Sequence, residues 1–227
     1  MPKALKNGFF FLKRRCVYRW WGLPVFALFY FIIFSRLEAA ITADTAFHLI
    51  EVPLDRMIPF CEYFIIPYNI WFVYIMGTVT FFVLVNRDRR EYYRFEATMI
   101  AGMSLFLLVS ALWPNGLMLR PVSFPRENFC TQLVRNLYAK DTPTNVFPSM
   151  HVYNSLCALI ALFDCKMLRK HRWILAVISV LTILIVLATV FLKQHSILDV
   201  IAAFALAGVT WFVVYRVMRG RVAIFTP

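Results

Sequence analysis

The 227-residue chain is 61% hydrophobic and 17% aromatic, with only 16% charged residues and a mean hydropathy of +0.69; soluble domains average about 45–50% apolar and roughly 25% charged. An excess of apolar side chains on this scale needs lipid as its solvent, which excludes a soluble domain and an intrinsically disordered chain, while 7 Gly and 5 Cys exclude a collagen-like repeat and a disulfide-stapled miniprotein. A formal net charge of +12 suggests nucleic acid for a soluble protein, but its placement here follows membrane topology, and no nucleic-acid partner is expected.

Residues 1–22 mix Lys3, Lys6, Lys13, Arg14, Arg15 and Arg19 with Phe9, Phe10, Phe11 and Leu12. That composition suits a basic interfacial segment lying on the anionic cytoplasmic leaflet. Apolar runs able to cross ~30 Å of hydrocarbon follow, near residues 20–37, 63–85, 96–113, 149–166, 172–192 and 197–216. The expected fold is all-α: a six-transmembrane-helix bundle over residues 23–217 forming one membrane catalytic domain, with a long outer loop at 114–148 and a tail at 218–227. Seventeen basic residues fall on the side that holds both termini and seven on the other, so both termini are expected in the cytoplasm and the protein in the cell membrane.

The outer connection at residues 38–62 carries Glu38, Asp44, His48, Glu51, Asp55 and Glu62 and reads as an ordinary solvated or interfacial loop. Cys61 and Cys130 both fall on the outer side; they are expected as two unpaired thiols, with a bridge between them as the alternative. No Asp, Glu, His or Cys cluster with metal-ligand spacing and no Gly-rich phosphate loop is present, so neither metal nor cofactor is expected.

The chemistry-bearing residues gather in three outer segments. Arg120-Pro121 lies in the long loop, and a loop of that length between membrane helices points to function. Pro148-Ser149-Met150-His151 opens the fourth span; Ser at the cap leaves outward backbone N–H groups as an anion site, with His151 in the first turn beside it. The sixth span opens with Lys193-Gln-His195-Ser-Ile-Leu-Asp199. His195 and Asp199 are i and i+4, so the carboxylate can hold one ring nitrogen and leave the other bare, as a nucleophile or general base requires. A carboxylate one turn inside an apolar span demands such a partner.

These three segments resemble the signatures of the type 2 phosphatidic acid phosphatase superfamily: Lys-x6-Arg-Pro, Pro-Ser-Gly-His and Ser-Arg-x5-His-x3-Asp. Arg120-Pro121, Pro148, Ser149 and His151, and His195 with Asp199 match in order. The chain departs from the pattern at Trp113 in place of Lys, Met150 in place of Gly, and Ala188-Thr189 in place of Ser-Arg. The resemblance implies that His195 forms a phosphohistidine, Asp199 orients it, His151 protonates the leaving oxygen, and Arg120 with Ser149 binds phosphate. Met150 and Lys193 complete the candidate phosphate-binding set, with Arg126, Arg135 and Lys140 as other sources of replacement charge.

The expected activity is metal-independent hydrolysis of a lipid phosphate monoester or pyrophosphate at the outer leaflet, with the lipid phosphate substrate and surrounding membrane lipids as partners. Two alternatives stay open. One is a lipid phosphotransferase like the sphingomyelin and inositol phosphorylceramide synthases; the other is a non-catalytic lipid-binding or transport relative.

Overall fold

The computed structural model describes residues 22–41 and 46–218. The expected basic segment 1–22, except Gly22, and the tail beyond Met218 therefore lie outside the described residues.

The described chain is predominantly helical, and its apolar helices fall where lipid-length runs predict them. They are α1 (Gly22–Ala40), a short α2 (Pro53–Met57), α3 (Ile65–Thr80), α4 (Arg89–Leu112), α5 (Phe129–Lys140), α6 (Met150–Asp164), α7 (Arg172–Phe191) and α8 (Ile197–Trp211). A tight turn over Glu62–Phe64 leads into α3. The closing turns of α3 and α8 widen, with Asn86 N and Met218 N donating to carbonyls five residues back, at Phe81 and Val213. Side chains cap the polar starts: Asp88 Oδ1 accepts from Arg90 N at 2.9 Å, Asn128 Oδ1 from Thr131 N at 2.9 Å, and Ser196 Oγ from Leu198 N at 3.1 Å.

Among the described residues, five helices are long and apolar enough to cross a membrane: Gly22–Ala40, Glu62–Val85, Arg89–Leu112, Arg172–Phe191 and Ile197–Val217. Their outer faces carry exposed Phe31, Val73, Ile183 and Val209, side chains that only hydrocarbon would solvate without penalty. The expected sixth span is α6, which has 15 residues and so extends about 22 Å, short of ~30 Å of hydrocarbon. Its shortness goes with its position. α6 packs against α3, α4, α7 and α8, so its sides meet protein, and it buries Val152, Tyr153, Cys157 and Ala161.

Gly102 of α4 makes one of these contacts possible, since a Cβ there would lie 2.1 Å from the Tyr153 ring. The Tyr153 hydroxyl then donates to Thr98 O at 2.6 Å, crossing from α6 to α4 in the core.

The long outer loop is structured. A short parallel pair, β1 (His48–Leu49) with β2 (Asn115–Gly116), ties the first outer connection to the second. α5 follows, laying Val134, Leu133 and Leu137 on Ile65, Tyr68 and Leu192. Asn115 Oδ1 accepts from Val146 N and Phe147 N, both at 2.9 Å. Glu38 at the end of α1 accepts from Thr142 Oγ1 at 2.6 Å and Asn145 Nδ2 at 3.1 Å. These bonds hold the approach to α6. Cys61 and Cys130 are free thiols.

Candidate active site

The start of α8 carries the histidine–carboxylate pair. His195 Nδ1 lies 3.3 Å from Asp199 Oδ2, and Ser196 N donates to the same oxygen at 2.9 Å. A carboxylate only accepts, so Nδ1 holds the ring proton and Nε2 is left with its lone pair. The loop before it is wound tightly: Gln194 N and His195 N both donate to Thr189 O at 3.0 Å, and Lys193 takes a left-handed backbone with φ of 55°. Thr189 stands where the family pattern has Arg, and it is fully buried, its carbonyl serving as the anchor of that loop.

A second carboxylate clamps this turn from across the chain. Asp55, expected as one of several solvated acids, is 1% exposed. Its Oδ2 accepts from Ser196 Oγ at 2.6 Å and its Oδ1 from Ile197 N at 2.8 Å. Lys193 closes the clamp in the other direction, its Nζ donating to Asp55 O at 2.6 Å and Ile58 O at 2.5 Å. Burial pulls the Lys193 ammonium below its ordinary value, with Asp55 opposing. The expectation of an ordinary connection at 38–62 is thus corrected: Asp55, a residue that sequence reasoning passed over, is built into the histidine turn because a buried carboxylate and unpaired helix-start donors satisfy each other. Lys193, expected as a phosphate ligand, spends at least two of its donors on loop carbonyls.

His151 sits in the first turn of α6, its ring 5.7 Å from that of His195 between centroids. Two aromatic residues of α3 hold it, Tyr68 stacked at 4.6 Å and Trp71 tilted at 4.3 Å. Neither was singled out from sequence; a Tyr and a Trp three apart on a lipid-length helix read as core or interface. Ser149 caps α6 through Oγ, which accepts from Val152 N at 3.4 Å, and its own N–H donates to Asp199 O at 3.3 Å, joining the two helix starts directly. The Met150 side chain is buried in the main apolar cluster, so any share it has in anion binding falls to its backbone N–H.

Arg120 approaches from the outer loop. Its Nη1 donates to Asp141 O at 2.8 Å and its Nη2 to Gln194 Oε1 at 2.6 Å, while the guanidinium lies 4.5 Å over the Tyr138 ring. Burial lowers the Arg120 value, with Asp141 opposing, yet a guanidinium keeps its charge. Gln194 brings Arg120 to the residue next to His195, and two buried donors there, Arg120 Nε and Gln194 Nε2, have no hydrogen-bond partner. Gln194 was another residue missed from sequence, its only signal being its place between Lys193 and His195.

The remaining charges lie elsewhere. Arg126 pairs with Glu62 at 3.5 Å and Arg135 with Glu127, while Lys140 is exposed at the end of α5. Trp113, where the family pattern has Lys, stacks on His48 at 5.2 Å and meets Phe147 edge-on at 5.7 Å. Among the described residues, no three His, Cys, Asp or Glu side chains converge as a metal would need.

The family model of the PAP2 superfamily matches residues 116–223, a stretch that holds Arg120, Ser149, His151, His195 and Asp199. No curated protein and no solved structure matches the chain. With the motif residues brought to one place by the fold, residues 116–223 of this all-helical chain are similar to the PAP2 superfamily.

Proposed function

We propose that the protein is an integral membrane enzyme that hydrolyses a lipid phosphate monoester or pyrophosphate through a phosphohistidine on His195. The observation that carries this reading is the pair of histidine rings 5.7 Å apart, one of them held at Nδ1 by Asp199.

His195 Nε2 attacks phosphorus while the bond to the lipid oxygen breaks and that oxygen takes a proton from His151. Water then attacks the phosphohistidine and gives a proton to His151, the phosphorus–nitrogen bond breaks, and phosphate leaves. Asp199 keeps the proton on Nδ1 and stabilises the imidazolium character that develops. Arg120, the free donors at Arg120 Nε and Gln194 Nε2, and the α6 start at Ser149 and Met150 receive the phosphoryl oxygens. In this reading the cationic duty falls on Arg120, without metal, and all six apolar helices cross the cell membrane. The 17-to-7 basic asymmetry supports an orientation with both termini in the cytoplasm and the two histidines toward the extracytoplasmic side.

The purified protein, assayed against a panel of lipid phosphates with and without alcohol acceptors, tests this when free phosphate and new lipid products are followed separately. Phosphate release that survives EDTA is the expected result. New lipid product only when an acceptor is supplied would assign the intermediate to transfer. No turnover of any lipid would favour the non-catalytic relative. Sidedness is read by an impermeant thiol reagent on intact cells: on a cysteine-free background Lys140→Cys should label and Lys170→Cys should not.

A further inference from the structure

The opposite end of α6 holds a second polar site that the hydrolytic chemistry does not use. His151 and Asp164 are thirteen residues apart on one helix, about 20 Å along its axis. At the Asp164 end a cavity of about 410 Å³ opens, lined on its polar side by Arg94, Asp164, Tyr215 and Arg216 and on its apolar side by residues including Phe163 and Trp211. Arg94 Nη1 binds Asp164 at 3.0 Å, and Arg169 reaches the same carboxylate at 3.6 Å. Arg94 and Arg216 lie over the Tyr215 and Trp211 rings, at 5.7 Å and 5.2 Å.

Arginine exceeds carboxylate at this mouth, and one of its buried polar atoms, Arg94 Nε, has no hydrogen-bond partner. Tyr215 is 6% exposed, so its hydroxyl is a buried donor at the wall of the cavity. Ile160 and Trp211 continue into a second hollow of about 240 Å³, whose walls include Leu156, Phe204 and Gly208. Its floor is open at Gly208, where a Cβ would meet nothing within 4 Å.

We propose that these joined hollows form a binding site for an anionic phospholipid of the leaflet opposite the histidine site. Its phosphate lies against Arg94, Arg216 and the Tyr215 hydroxyl, and one acyl chain runs along the groove over Gly208. Basic pockets between membrane helices suit anionic headgroups, and the charge of the mouth selects against a zwitterionic lipid, whose ammonium would face guanidinium. A free phosphate would leave the apolar groove uncovered. The chain's own tail, residues 219–227, carries Arg219 and Arg221 and no acid, the wrong sign to fill the mouth.

The test uses the full-length protein in phosphatidylcholine vesicles doped with a phosphatidylglycerol that bears a photoactivatable diazirine on one acyl chain, with the labelled peptides then mapped. Label is expected on α6 and α8 around Leu156, Phe204 and Gly208. Unlabelled phosphatidylglycerol should compete for it, whereas extra phosphatidylcholine and inorganic phosphate should not. Arg216→Gln, at an exposed position, should lower labelling about fivefold, the worth of one cation at a lipid headgroup. Gly208→Phe should fill the groove and remove most of the label without disturbing the packing, because its side chain enters open space. His195→Ala should label as the unaltered protein does. Equal competition by phosphatidylcholine, competition by inorganic phosphate, label mapped beside the histidines, or labelling unchanged in both pocket variants would each overturn the proposal.

Discussion

The two ends of α6 use polar groups in opposite ways. At the Asp164 end, Glu91 accepts from Asn86 Nδ2 at 2.8 Å with one oxygen and from Lys166 N at 3.1 Å with the other. Asp88 accepts from Lys166 Nζ at 2.7 Å and donates its own N–H to Asn86 Oδ1 at 2.7 Å. At the histidine end, Asp199 Oδ1, Arg120 Nε and Gln194 Nε2 are buried with no partner. A buried polar cluster that only holds a fold together satisfies its members, since each orphaned group costs about 1–3 kcal/mol. Under the proposed function, the unpaired donors among these, Arg120 Nε and Gln194 Nε2, are the groups that a substrate anion would satisfy. The exception at the Asp164 end, Arg94 Nε, borders the lipid pocket inferred above, so it follows the same rule.

That contrast is easiest to break at the nucleophile. His195→Ala should abolish both turnover and any trapped phosphoenzyme, because no covalent intermediate can form; retained turnover would remove the histidine end from the chemistry. Asp199→Asn should cost about 10⁴-fold in kcat with little change in KM, the mark of a mis-set tautomer. His151→Ala should slow lipid turnover by about 10²–10⁴-fold, and least for p-nitrophenyl phosphate, whose leaving group needs little protonation. A uniform loss across leaving groups would show that His151 is not the acid.

Smaller effects sharpen the contrast. Asp55→Asn should loosen the Ser196 turn and cost about 10²-fold in kcat, as a small misplacement of a reacting group does. A thermal unfolding midpoint unchanged alongside unchanged kcat would show that the clamp has no bearing on the histidine. At the other end, Glu91→Gln puts an amide among donors that need acceptors. It should lower stability by about 1–3 kcal/mol in denaturant unfolding while leaving kcat unaltered.

The helices were legible because lipid imposes a demand that composition alone reveals: a run of about 20 apolar residues. Each of the six helices lies within a few residues of the run that foretold it, apart from the start of α4, where Asp88 caps a turn of charged residues ahead of the apolar stretch. His195 and Asp199 were legible because an i, i+4 pair shares a helix face whatever surrounds it. Asp55 was not, since its partners Ser196 and Ile197 are more than 140 positions away and nothing local separates it from the solvated acids around it. Lys193 was only partly legible for a related reason. Its charge is visible in sequence, but the carbonyls of Asp55 and Ile58 that engage it are not. α5 lay hidden in a loop because the Pro and Asn residues before and after it mask its spacing of Leu133, Val134 and Leu137.

The clamp at Asp55 also separates the stretch of chain that reveals kinship from the stretch that assembles the machine. The family match begins at residue 116, whereas Asp55, Tyr68 and Trp71 precede it and come from another part of the bundle. A fragment cut to the matched boundaries would keep both histidines yet lose the carboxylate that fixes the turn under one and the aromatic cradle around the other. Transplanting the site into another scaffold would therefore mean moving the first outer connection and α3 along with the motifs.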